Sequence, residues 1–339
     1  LIELLGSRRP GQKQRRGGER HRREAMESHG AKDTCYSYRM PTTSPPRVAL
    51  VTCRDLAELT ESDQVLAAAL RARGIAADPA IWNDADTDWR RYDLVVIRSP
   101  WDYFHHIGEF IGWIDRLEAA GVPLANDPAV LRWNSHKRYL RELADRGAPV
   151  TPSLWLGMGS AGAERDLDAL VAERDWQRLV IKPAVSGGAH ETWVTSAPLD
   201  AAARTRVSAM LSRGDVLVQP FIDAVPRDGE VSFLFVEGRF THAVRKRAAA
   251  GDFRVQIEHG GSFDREPVTA GQVDAAARVL AMAPAPTLYG RVDAVISETE
   301  FLLMELEVLE PDLFFTTAPE AAELLAAAIE RRIAERAAA

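Results

Sequence analysis

The sequence contains very little cysteine. Its 339 residues include two, Cys35 and Cys53. Two thiols cannot build a disulfide framework, and they supply too few ligands for a cysteine-rich structural zinc site. Disulfide-stabilised secreted folds are thereby excluded, and we expect the reducing cytoplasm as the compartment of this protein.

Long apolar runs are also missing. A membrane-spanning helix needs about 20 consecutive apolar residues, and no stretch of the chain approaches that length, so we expect no membrane partner. The content of 46% hydrophobic and 27% charged residues is typical of a globular protein. A chain of 339 residues is long enough for two or three domains, at about 150 residues each.

The first 40 residues differ in composition from the rest. They carry 10 Lys/Arg and 5 Asp/Glu, whereas the remainder carries 32 basic and 44 acidic residues. Such a Gly- and Arg-rich stretch without apolar periodicity predicts a disordered basic extension at 1–45. Aromatic residues are not interleaved in it, apart from Tyr36 and Tyr38 at its end, so we expect no nucleic-acid partner. Because Leu1 is not an initiator and Met40 precedes the first strand, we interpret the segment as upstream of the native start.

From Arg47 onward, short apolar runs alternate with helical periodicity. The pattern predicts buried strands at 48–52 and 94–97, and a helix at 64–73 that ends before Gly74. This alternation favours a small parallel sheet. We therefore expect an amino-terminal α/β domain at 46–125.

Polar and aromatic residues follow the second of these strands. Open α/β sheets bind ligands at the carboxyl ends of their strands, so this segment is a candidate substrate site. Its candidate residues are Ser99, Trp101, Asp102 and Tyr103. Simple packing of the loop is the alternative for Trp101 and Tyr103. His105 and His106 begin the next helix and are expected on the surface.

A second unit begins near Asn126. Its pattern predicts a helix at 135–146, an extended connection at 148–152, and strands at 179–182, 192–195, 216–219 and 231–236. The loop at 183–190 contains Ser186, Gly187 and Gly188 and follows Lys182 directly. A glycine backbone can approach phosphate oxygens closely, and the lysine supplies a positive charge. A plain hairpin turn is the alternative, and the loop is not a Walker loop.

Three carboxylates and an arginine lie within residues 288–311. Read as a hairpin with its turn at 297–300, this stretch puts Arg291 and Asp293 on one face of the first strand. Glu305 and Glu307 share a face of the second. Buried carboxylates need compensating cations or hydrogen bonds, and hard oxygen ligands suit Mg²⁺. The alternative is a half-exposed strand pair whose acids face water.

The order of these motifs resembles the ATP-grasp superfamily across residues 47–336, in particular the branch of glutathione synthetase and the ribosomal-tail glutamate ligases. Five motifs carry the resemblance: His136-Lys137; 180–183 with 186–188; 218–222; 245–246 with 251–254; and 291–293 with 305–307. Glu307 stands where the family usually has asparagine, which leaves an oxygen ligand in place.

A finer resemblance concerns the segments 99–103, 131–134 and 304–311. Together they resemble the O-ureido-D-serine cyclo-ligase subgroup of D-cycloserine biosynthesis. The resemblance implies an α+β ATP-grasp domain at 126–339, behind the amino-terminal parallel α/β domain. Within it we expect a lid subdomain at about 150–222 and a metal-binding subdomain at about 223–339.

The resemblance also implies ATP and two Mg²⁺ ions, with Mn²⁺ as a substitute. The implied nucleotide-binding residues are Lys137, Lys182, Ser186, Gly187, Gly188, Gln219, Phe221, Ile222 and Glu230. In the family layout the two lysines bind the α and β phosphates, the glycine loop closes over them, 219–222 contacts adenine, and Glu230 binds the ribose.

Further roles follow from the same resemblance. The implied metal ligands are Asp293, Glu305 and Glu307. The implied catalytic residues are Arg291, Lys246 and Arg254, of which the last two are left for the γ-phosphate and the substrate carboxylate. For Lys246 and Arg254 a solvated basic turn is the alternative. Glu310, with Asp312, is a candidate for holding a substrate ammonium or guiding a ureido amine.

The implied activity is that of an ATP-dependent carboxylate–amine ligase that forms an acyl phosphate. We expect it to cyclise one small amino acid, O-ureido-D-serine, and to release ADP and phosphate, as a monomer or homo-oligomer. Two alternatives stay open, a ligase that joins two separate substrates and a non-catalytic nucleotide-binding protein.

A chain that begins at Met40 should keep the melting temperature and the activity of the full chain, because a disordered tail contributes few buried contacts. Thermal unfolding and ADP release measured on both chains test this expectation. A loss of several degrees on truncation would show that the tail packs on the body.

Overall fold

The structure is a computed structural model. It describes residues 44–160, 163–249, 251–255, 259–297 and 300–338, apart from the side chains of 163–165. The basic extension predicted to be disordered lies outside the described residues, except for its last two positions. The described chain forms three sheets with helices packed against them.

The first sheet is parallel and three-stranded. Strands β1, Arg47–Thr52, β2, Ala76–Ile81, and β3, Leu94–Ser99, lie in the order β2-β1-β3. Nearly every residue of β1 and β3 is buried, as expected for strands covered on both faces. Helix α1, Glu61–Ala72, follows β1, and helix α2, Ile107–Ala119, follows β3. The predicted parallel α/β layer is confirmed.

The predicted limits of the first helix need a correction. Helix α1 begins at Glu61 rather than at Gln64, because the Thr60 hydroxyl accepts a hydrogen bond from the backbone N–H of Asp63 at 3.1 Å. This N-terminal cap adds most of a turn to the helix.

The predicted helix at 135–146 is wrong in its first part. Helix α3, Pro128–Asn134, ends before it, and helix α4, Tyr139–Asp145, begins only after a turn. Lys137 lies in that turn and not on a helix. Its backbone N–H donates to the carbonyl oxygen of Ala184 at 2.8 Å instead of to a helical carbonyl.

The second sheet is antiparallel and four-stranded, in the order β4-β7-β5-β6. Its strands are β4, Leu154–Leu156, β5, Arg178–Pro183, β6, Trp193–Ser196, and β7, Val216–Pro220. Helices α5, Ala163–Ala172, and α6, Ala201–Leu211, pack on it and share its hydrophobic core. Residues 184–192, which we call the glycine loop, connect β5 to β6.

The third sheet is antiparallel and five-stranded, in the order β10-β9-β8-β11-β12. Its strands are β8, Glu230–Val236, β9, Arg239–Arg247, β10, Ser262–Arg265, β11, Tyr289–Ile296, and β12, Phe301–Glu307. The helices of this part are α7, Ala224–Asp228, α8, Ala270–Leu280, and α9, Pro319–Ala338. Strand alternation gives this sheet two faces, and Phe233, Val292 and Leu306 lie in the core cluster that includes α8.

The last helix packs back on the first layer. Leu325 and Ile329 of α9 lie in one core cluster with Leu66 and Leu70 of α1, and Leu234 of β8 joins the same cluster. None of the described helices is long and apolar enough to cross a membrane.

Two buried asparagines form hydrogen bonds with the backbone in and next to the hairpin of β11 and β12. Asn126 donates to the carbonyl oxygens of Tyr289 and Val308 at 3.1 and 2.7 Å, and accepts from the backbone N–H of Leu288 at 2.7 Å. Asn134 donates to the carbonyl oxygen of Leu306 at 2.8 Å and accepts from the backbone N–H groups of Val308 and Leu309. Both amides pair backbone groups that would otherwise be buried without partners.

Replacing Asn126 by alanine should lower the free energy of unfolding by about 3 kcal/mol, because three buried backbone groups lose their partner. Urea denaturation followed by circular dichroism measures the change. Asn83→Ala is the matched control, since Asn83 is exposed, and a change in this variant should stay within about 0.5 kcal/mol. Equal effects of the two substitutions would contradict the assigned role of Asn126.

Candidate active site

A cleft of about 950 Å³ opens where the three sheets meet. It is lined by the hairpin of β11 and β12, by the glycine loop, by β5 and β7, and by the segment that follows β3. Ligand pockets commonly have volumes of about 300–1,000 Å³. The cleft is therefore large enough for a nucleotide together with a small substrate.

The register of the hairpin brings the predicted acidic residues together. Arg291 of β11 lies opposite Glu307 of β12, and Asp293 lies opposite Glu305. Side chains at alternate positions of paired strands share a face. All four line the cleft, so the predicted convergence is found. The alternative of acids that face water does not hold for Asp293, which is 2% exposed.

Asp293 is surrounded by donors. Arg291 donates to both of its carboxylate oxygens at 3.0 and 3.1 Å, Lys246 donates at 2.6 Å, and the Ser232 hydroxyl donates at 2.7 Å. Burial alone would raise the pKa of this carboxyl, but the two cations hold it well below its usual range. Asp293 is therefore ionised at neutral pH.

The two glutamates have different surroundings. Glu305 accepts a hydrogen bond from Lys137 at 2.6 Å, and the cation keeps the pKa of Glu305 below its usual value despite burial. Glu307 is paired with Arg291. Burial, reinforced by the charges of Glu305 and Asp293, raises the pKa of Glu307 to about 8. Of the three carboxyl groups, Glu307 is thus the one that takes up a proton most readily.

Lysine is scarce in this protein, and its few lysines meet in the cleft. The sequence has 5 lysines against 37 arginines, and Lys137, Lys182 and Lys246 are the three that follow Met40. All three line the cleft. Lysine offers a compact charge that can move between an internal carboxylate and a bound anion. Their concentration here therefore favours an anionic ligand.

Lys182 stands apart from the other two. Lys137 pairs with Glu305, and Lys246 pairs with Asp293 and, at 3.3 Å, with Glu230. Lys182 has neither an ion pair nor a side-chain hydrogen bond within the described part of the chain, and burial lowers its pKa. A half-buried ammonium of this kind is stabilised by an anion brought in from solution.

Carboxylate oxygens are the type of donor atom that binds Mg²⁺. In this cleft, however, they are not arranged as a preformed metal site. Within the described ranges, no three His, Cys, Asp or Glu side chains are arranged to surround one ion, because side-chain cations hold the acids. Mg²⁺ is commonly bound by one or two carboxylates together with phosphate oxygens. The residues present therefore fit an ion that arrives with a phosphate ligand.

The predicted nucleotide residues surround the other half of the cleft. Gln219 is buried and donates to the Ser153 hydroxyl at 2.9 Å, while Phe221 lies under the Arg178 guanidinium at 3.7 Å. Ile222 and Glu230 also line the cleft. The carboxylate of Glu230 faces Lys246 rather than open solvent.

The predicted substrate segment splits into residues that face the cleft and residues that do not. Tyr103 and Glu310 both line it, and Trp101 donates to the backbone oxygen of Glu310 at 3.1 Å. Burial, reinforced by Glu310, raises the pKa of Tyr103 well above its usual value. Burial likewise raises the pKa of Glu310.

Ser99 and Asp102 are corrections to the predicted substrate site. Ser99 is fully buried and donates to the Thr52 hydroxyl at 3.2 Å. Asp102 accepts a hydrogen bond from the indole N–H of Trp82 at 2.7 Å. Neither lines the cleft, because both side chains bond to residues of the amino-terminal layer.

The two remaining predicted cations differ in setting. Lys246 is 7% exposed and lies within the acidic network, so the alternative of a solvated basic turn is wrong for it. Arg254 is about one-third exposed and pairs with Asp252 in its own turn at 2.7 Å. It lines the cleft but stands away from the hairpin carboxylates. The setting of Arg254 is therefore close to the alternative of a solvated basic turn.

Sequence reasoning missed Phe314 and Asp312 as supports of Arg291. The Arg291 guanidinium lies 5.6 Å from the centre of the Phe314 ring, and it donates to the carbonyl oxygen of Asp312 at 3.0 Å. Phe314 has φ +48°, a left-handed conformation that is uncommon for a bulky residue. No local sequence pattern signals such a conformation.

Comparison with known protein families gives matches over most of the chain. Residues 48–126 match the amino-terminal domain of D-cycloserine synthetase DcsG, and residues 162–296 match the ATP-grasp domain of prokaryotic glutathione synthetase. The cycloserine biosynthesis protein DcsG of Streptomyces lavendulae is 30% identical over 277 residues, which cover 78% of this chain and 91% of that protein.

Solved structures agree with this relationship. The crystal structure of D-cycloserine synthetase DcsG matches with a TM-score of 0.77 and 28% identity, covering 85% of this chain and 99% of that one. D-alanine–D-alanine ligase from Bacillus anthracis, solved with ATP, matches with a TM-score of 0.61 at 16% identity, covering 86% and 98%. The second likeness concerns the fold alone.

The expected α+β ATP-grasp fold is thus confirmed, with its parallel amino-terminal layer and its two antiparallel sheets. By its identity to DcsG along nearly the whole of that protein, the chain belongs to the DcsG family of ATP-grasp enzymes, and it is an ATP-dependent, ADP-forming ligase of that class.

Proposed function

We propose that this enzyme activates the carboxylate of a small amino acid as an acyl phosphate and then closes a ring on it. The substrate that we infer is O-ureido-D-serine, and the product is D-cycloserine, with ADP and phosphate. The observation that carries the proposal is the meeting of three lysines, Arg291 and the hairpin carboxylates in a cleft whose other wall is the Tyr103–Glu310 pair.

The nucleotide half of the cleft supports phosphate binding. Lys182 offers an unpaired ammonium, and Lys137 lies beside it, with its Nζ 3.0 Å from the carbonyl oxygen of Ser186. We assign both lysines to the α and β phosphates, with Ser186, Gly187 and Gly188 covering them. Gln219, Phe221 and Ile222 would border the adenine, and Glu230 the ribose.

Asp293, Glu305 and Glu307 are the proposed ligands of two Mg²⁺ ions. When bound with ATP, Mg²⁺ would neutralise charge on the β and γ phosphates. Lysine side chains that pair with these acids in the described structure can turn to the phosphates instead, because ammonium groups on flexible stems adapt easily. Mn²⁺ is a proposed substitute.

Charge stabilisation then falls to Arg291, Lys246 and Arg254. Phosphoryl transfer depends mainly on positioning and on positive charge around the transferred group. Arg291 is fixed by Asp293, by the Asp312 carbonyl oxygen and by Phe314, so its guanidinium is already oriented. We propose that it stabilises the acyl phosphate or the oxyanion that follows, while Lys246 and Arg254 contact the γ-phosphate and the substrate carboxylate.

The substrate side of the cleft favours a molecule with a positive group. Glu310 and Asp312 line it, and carboxylates form charge-assisted hydrogen bonds with an α-ammonium group. Holding the ammonium there would leave the substrate carboxylate facing the phosphates. Trp101 and Tyr103 fix Glu310 from the other side.

Ring closure is favoured when one molecule supplies both reacting groups, because a single binding event positions them. Attack by the ureido nitrogen next to oxygen forms the five-membered ring and expels phosphate. The carbamoyl group must then leave with water, as carbon dioxide and ammonia, to give D-cycloserine. A ligase that joins two substrates remains the alternative, and a non-catalytic nucleotide binder is disfavoured by the complete set of charged residues.

The proposal extends to the domains of the enzyme, its compartment and its oligomeric state. We propose that residues 150–222 act as the lid of an ATP-grasp domain that spans 126–339, behind a domain at 46–125. We also propose a cytoplasmic enzyme, monomeric or homo-oligomeric, whose partner is the small-molecule substrate.

Glu305→Gln should abolish ATP turnover while leaving the fold intact, because a proposed Mg²⁺ ligand loses its charge. Mg²⁺-dependent ADP release measures the effect, and circular dichroism checks the fold. Glu300→Gln is the matched control on the same hairpin, since Glu300 is exposed. Near wild-type turnover by Glu305→Gln would remove Glu305 from the site.

O-ureido-D-serine should be turned over with ATP and Mg²⁺ as the sole organic substrate, giving a cyclised product detected by mass spectrometry. Glu310→Gln should reduce this turnover by about tenfold or more, with little change in ADP affinity, because a charge-assisted contact to the substrate is worth about 1.5–3 kcal/mol. Turnover that requires a separate amine, with no product from the ureido amino acid, would favour the two-substrate ligase.

A further inference from the structure

The glycine loop touches the amino-terminal layer through the ring of Phe104. A Cβ atom added to Gly187 would lie 3.2 Å from both Cδ1 and Cε1 of Phe104. Carbon atoms in optimal contact are about 3.5–4.0 Å apart, so the ring packs closely on the backbone of Gly187, and a methyl group there would have to push the ring or the loop aside.

The same ring also reaches the end of the loop. The centres of the Phe104 and His190 rings are 5.2 Å apart, and His105 meets His190 edge-on at 4.8 Å. Aromatic pairs at such distances are stabilising, by about 0.5–1.5 kcal/mol beyond the area that they bury. Phe104 therefore contacts the loop at two places, three residues apart.

Other parts of the chain hold the loop from different sides. Lys137 donates to the carbonyl oxygen of Ser186 at 3.0 Å, and the His259 ring nitrogen Nε2 lies 3.3 Å from the carbonyl oxygen of Gly188. The loop itself is irregular, with left-handed backbone at Gly188 and Ala189. Its position thus depends on side chains that belong to other elements.

Phe104 belongs to the segment that forms the proposed substrate site. It directly follows Tyr103, which lines the cleft together with Glu310, and Trp101 donates to the Glu310 backbone at 3.1 Å. A shift of Glu310 or Tyr103 would therefore move the ring on which Gly187 rests. The segment 101–104 therefore contacts both the proposed substrate site and the glycine loop beside the proposed nucleotide site.

We propose that Phe104 is a positioning residue that holds the glycine loop closed over the nucleotide and couples that closure to occupation of the substrate site. The inference rests on the proposed function and adds a regulation of the same site. A substrate that fixes Tyr103 and Glu310 in the observed arrangement favours the closed loop, and by linkage it tightens nucleotide binding. ATP is then enclosed, and kept from water, mainly when the amino acid is present.

The test measures the affinity for ADP in the presence of Mg²⁺ by titration calorimetry on the full chain. Phe104→Ala should weaken ADP binding by about tenfold, the equivalent of about 1.4 kcal/mol. Phe104→Tyr keeps the ring and should stay within about twofold. His106→Ala is the matched control on the same turn, since His106 is exposed and pairs only with Glu109 among the described residues.

A second titration adds O-ureido-D-serine as the probe of coupling. We expect the wild-type chain to bind ADP more tightly when the amino acid is present. We expect Phe104→Ala to bind ADP with the same affinity in the presence and in the absence of the amino acid. The ratio of ADP released to product formed should also rise in Phe104→Ala, because a loosely held loop admits water.

Several outcomes would overturn the inference. If Phe104→Ala binds ADP within twofold of the wild-type affinity, the ring does not position the loop. If O-ureido-D-serine increases the ADP affinity equally in both chains, or does not increase it in the wild-type chain, Phe104 does not couple the two sites. A wild-type chain that binds no ADP would instead overturn the proposed function itself. If Phe104→Ala unfolds early in a thermal scan, Gly187→Ala replaces it, because the added methyl group displaces the loop from an intact ring.

Discussion

The neutralisation of buried acidic side chains is the constraint on which this structure depends. Asp293 and Glu305 lie opposite each other on paired strands, and each is held by a cation from another element, Lys246 of β9 or Lys137 of the turn between α3 and α4. Breaking a buried ion pair such as Lys246–Asp293 by removing one partner costs about 3–5 kcal/mol, whereas the Glu305 side chain is 27% exposed and its pair with Lys137 contributes less. The positions of these elements are therefore fixed by the same charges that make the cleft suitable for ATP.

Much of this arrangement could be predicted from local pattern. Strict alternation along the hairpin put Arg291 and Asp293 on one face, with Glu305 opposite, and the register confirms it. Apolar runs gave the parallel layer, because strands buried on both faces need no polar residues. The helix expected at 135–146 was wrong in its first part because helical composition does not reveal that the backbone N–H of Lys137 bonds to Ala184 at the start of the glycine loop.

Contacts between distant parts of the chain could not be predicted in this way. Asp102 stands beside Trp101 and Tyr103 in a segment that reads as one site, yet it bonds to Trp82 inside the first layer. Asn126 pairs with backbone groups more than 160 positions away. One overlooked signal was compositional: arginine supplies 37 of the 42 basic residues, and the three lysines that follow Met40 all line the cleft, where a mobile ammonium suits an anionic ligand.

The packing of α9 on α1 has a consequence for how the protein is made. Leu66 and Leu70 share their core cluster with Leu325 and Ile329, in the last helix of the described chain. During synthesis, the part of the apolar side of α1 that packs on α9 stays uncovered until more than two hundred further residues have been added, although the strands of the first layer can cover the rest. Contacts of such long sequence separation slow folding and leave apolar surface open to aggregation. The amino-terminal layer is therefore translated before the two antiparallel sheets, but its contact with α9 is among the last parts of the fold to form.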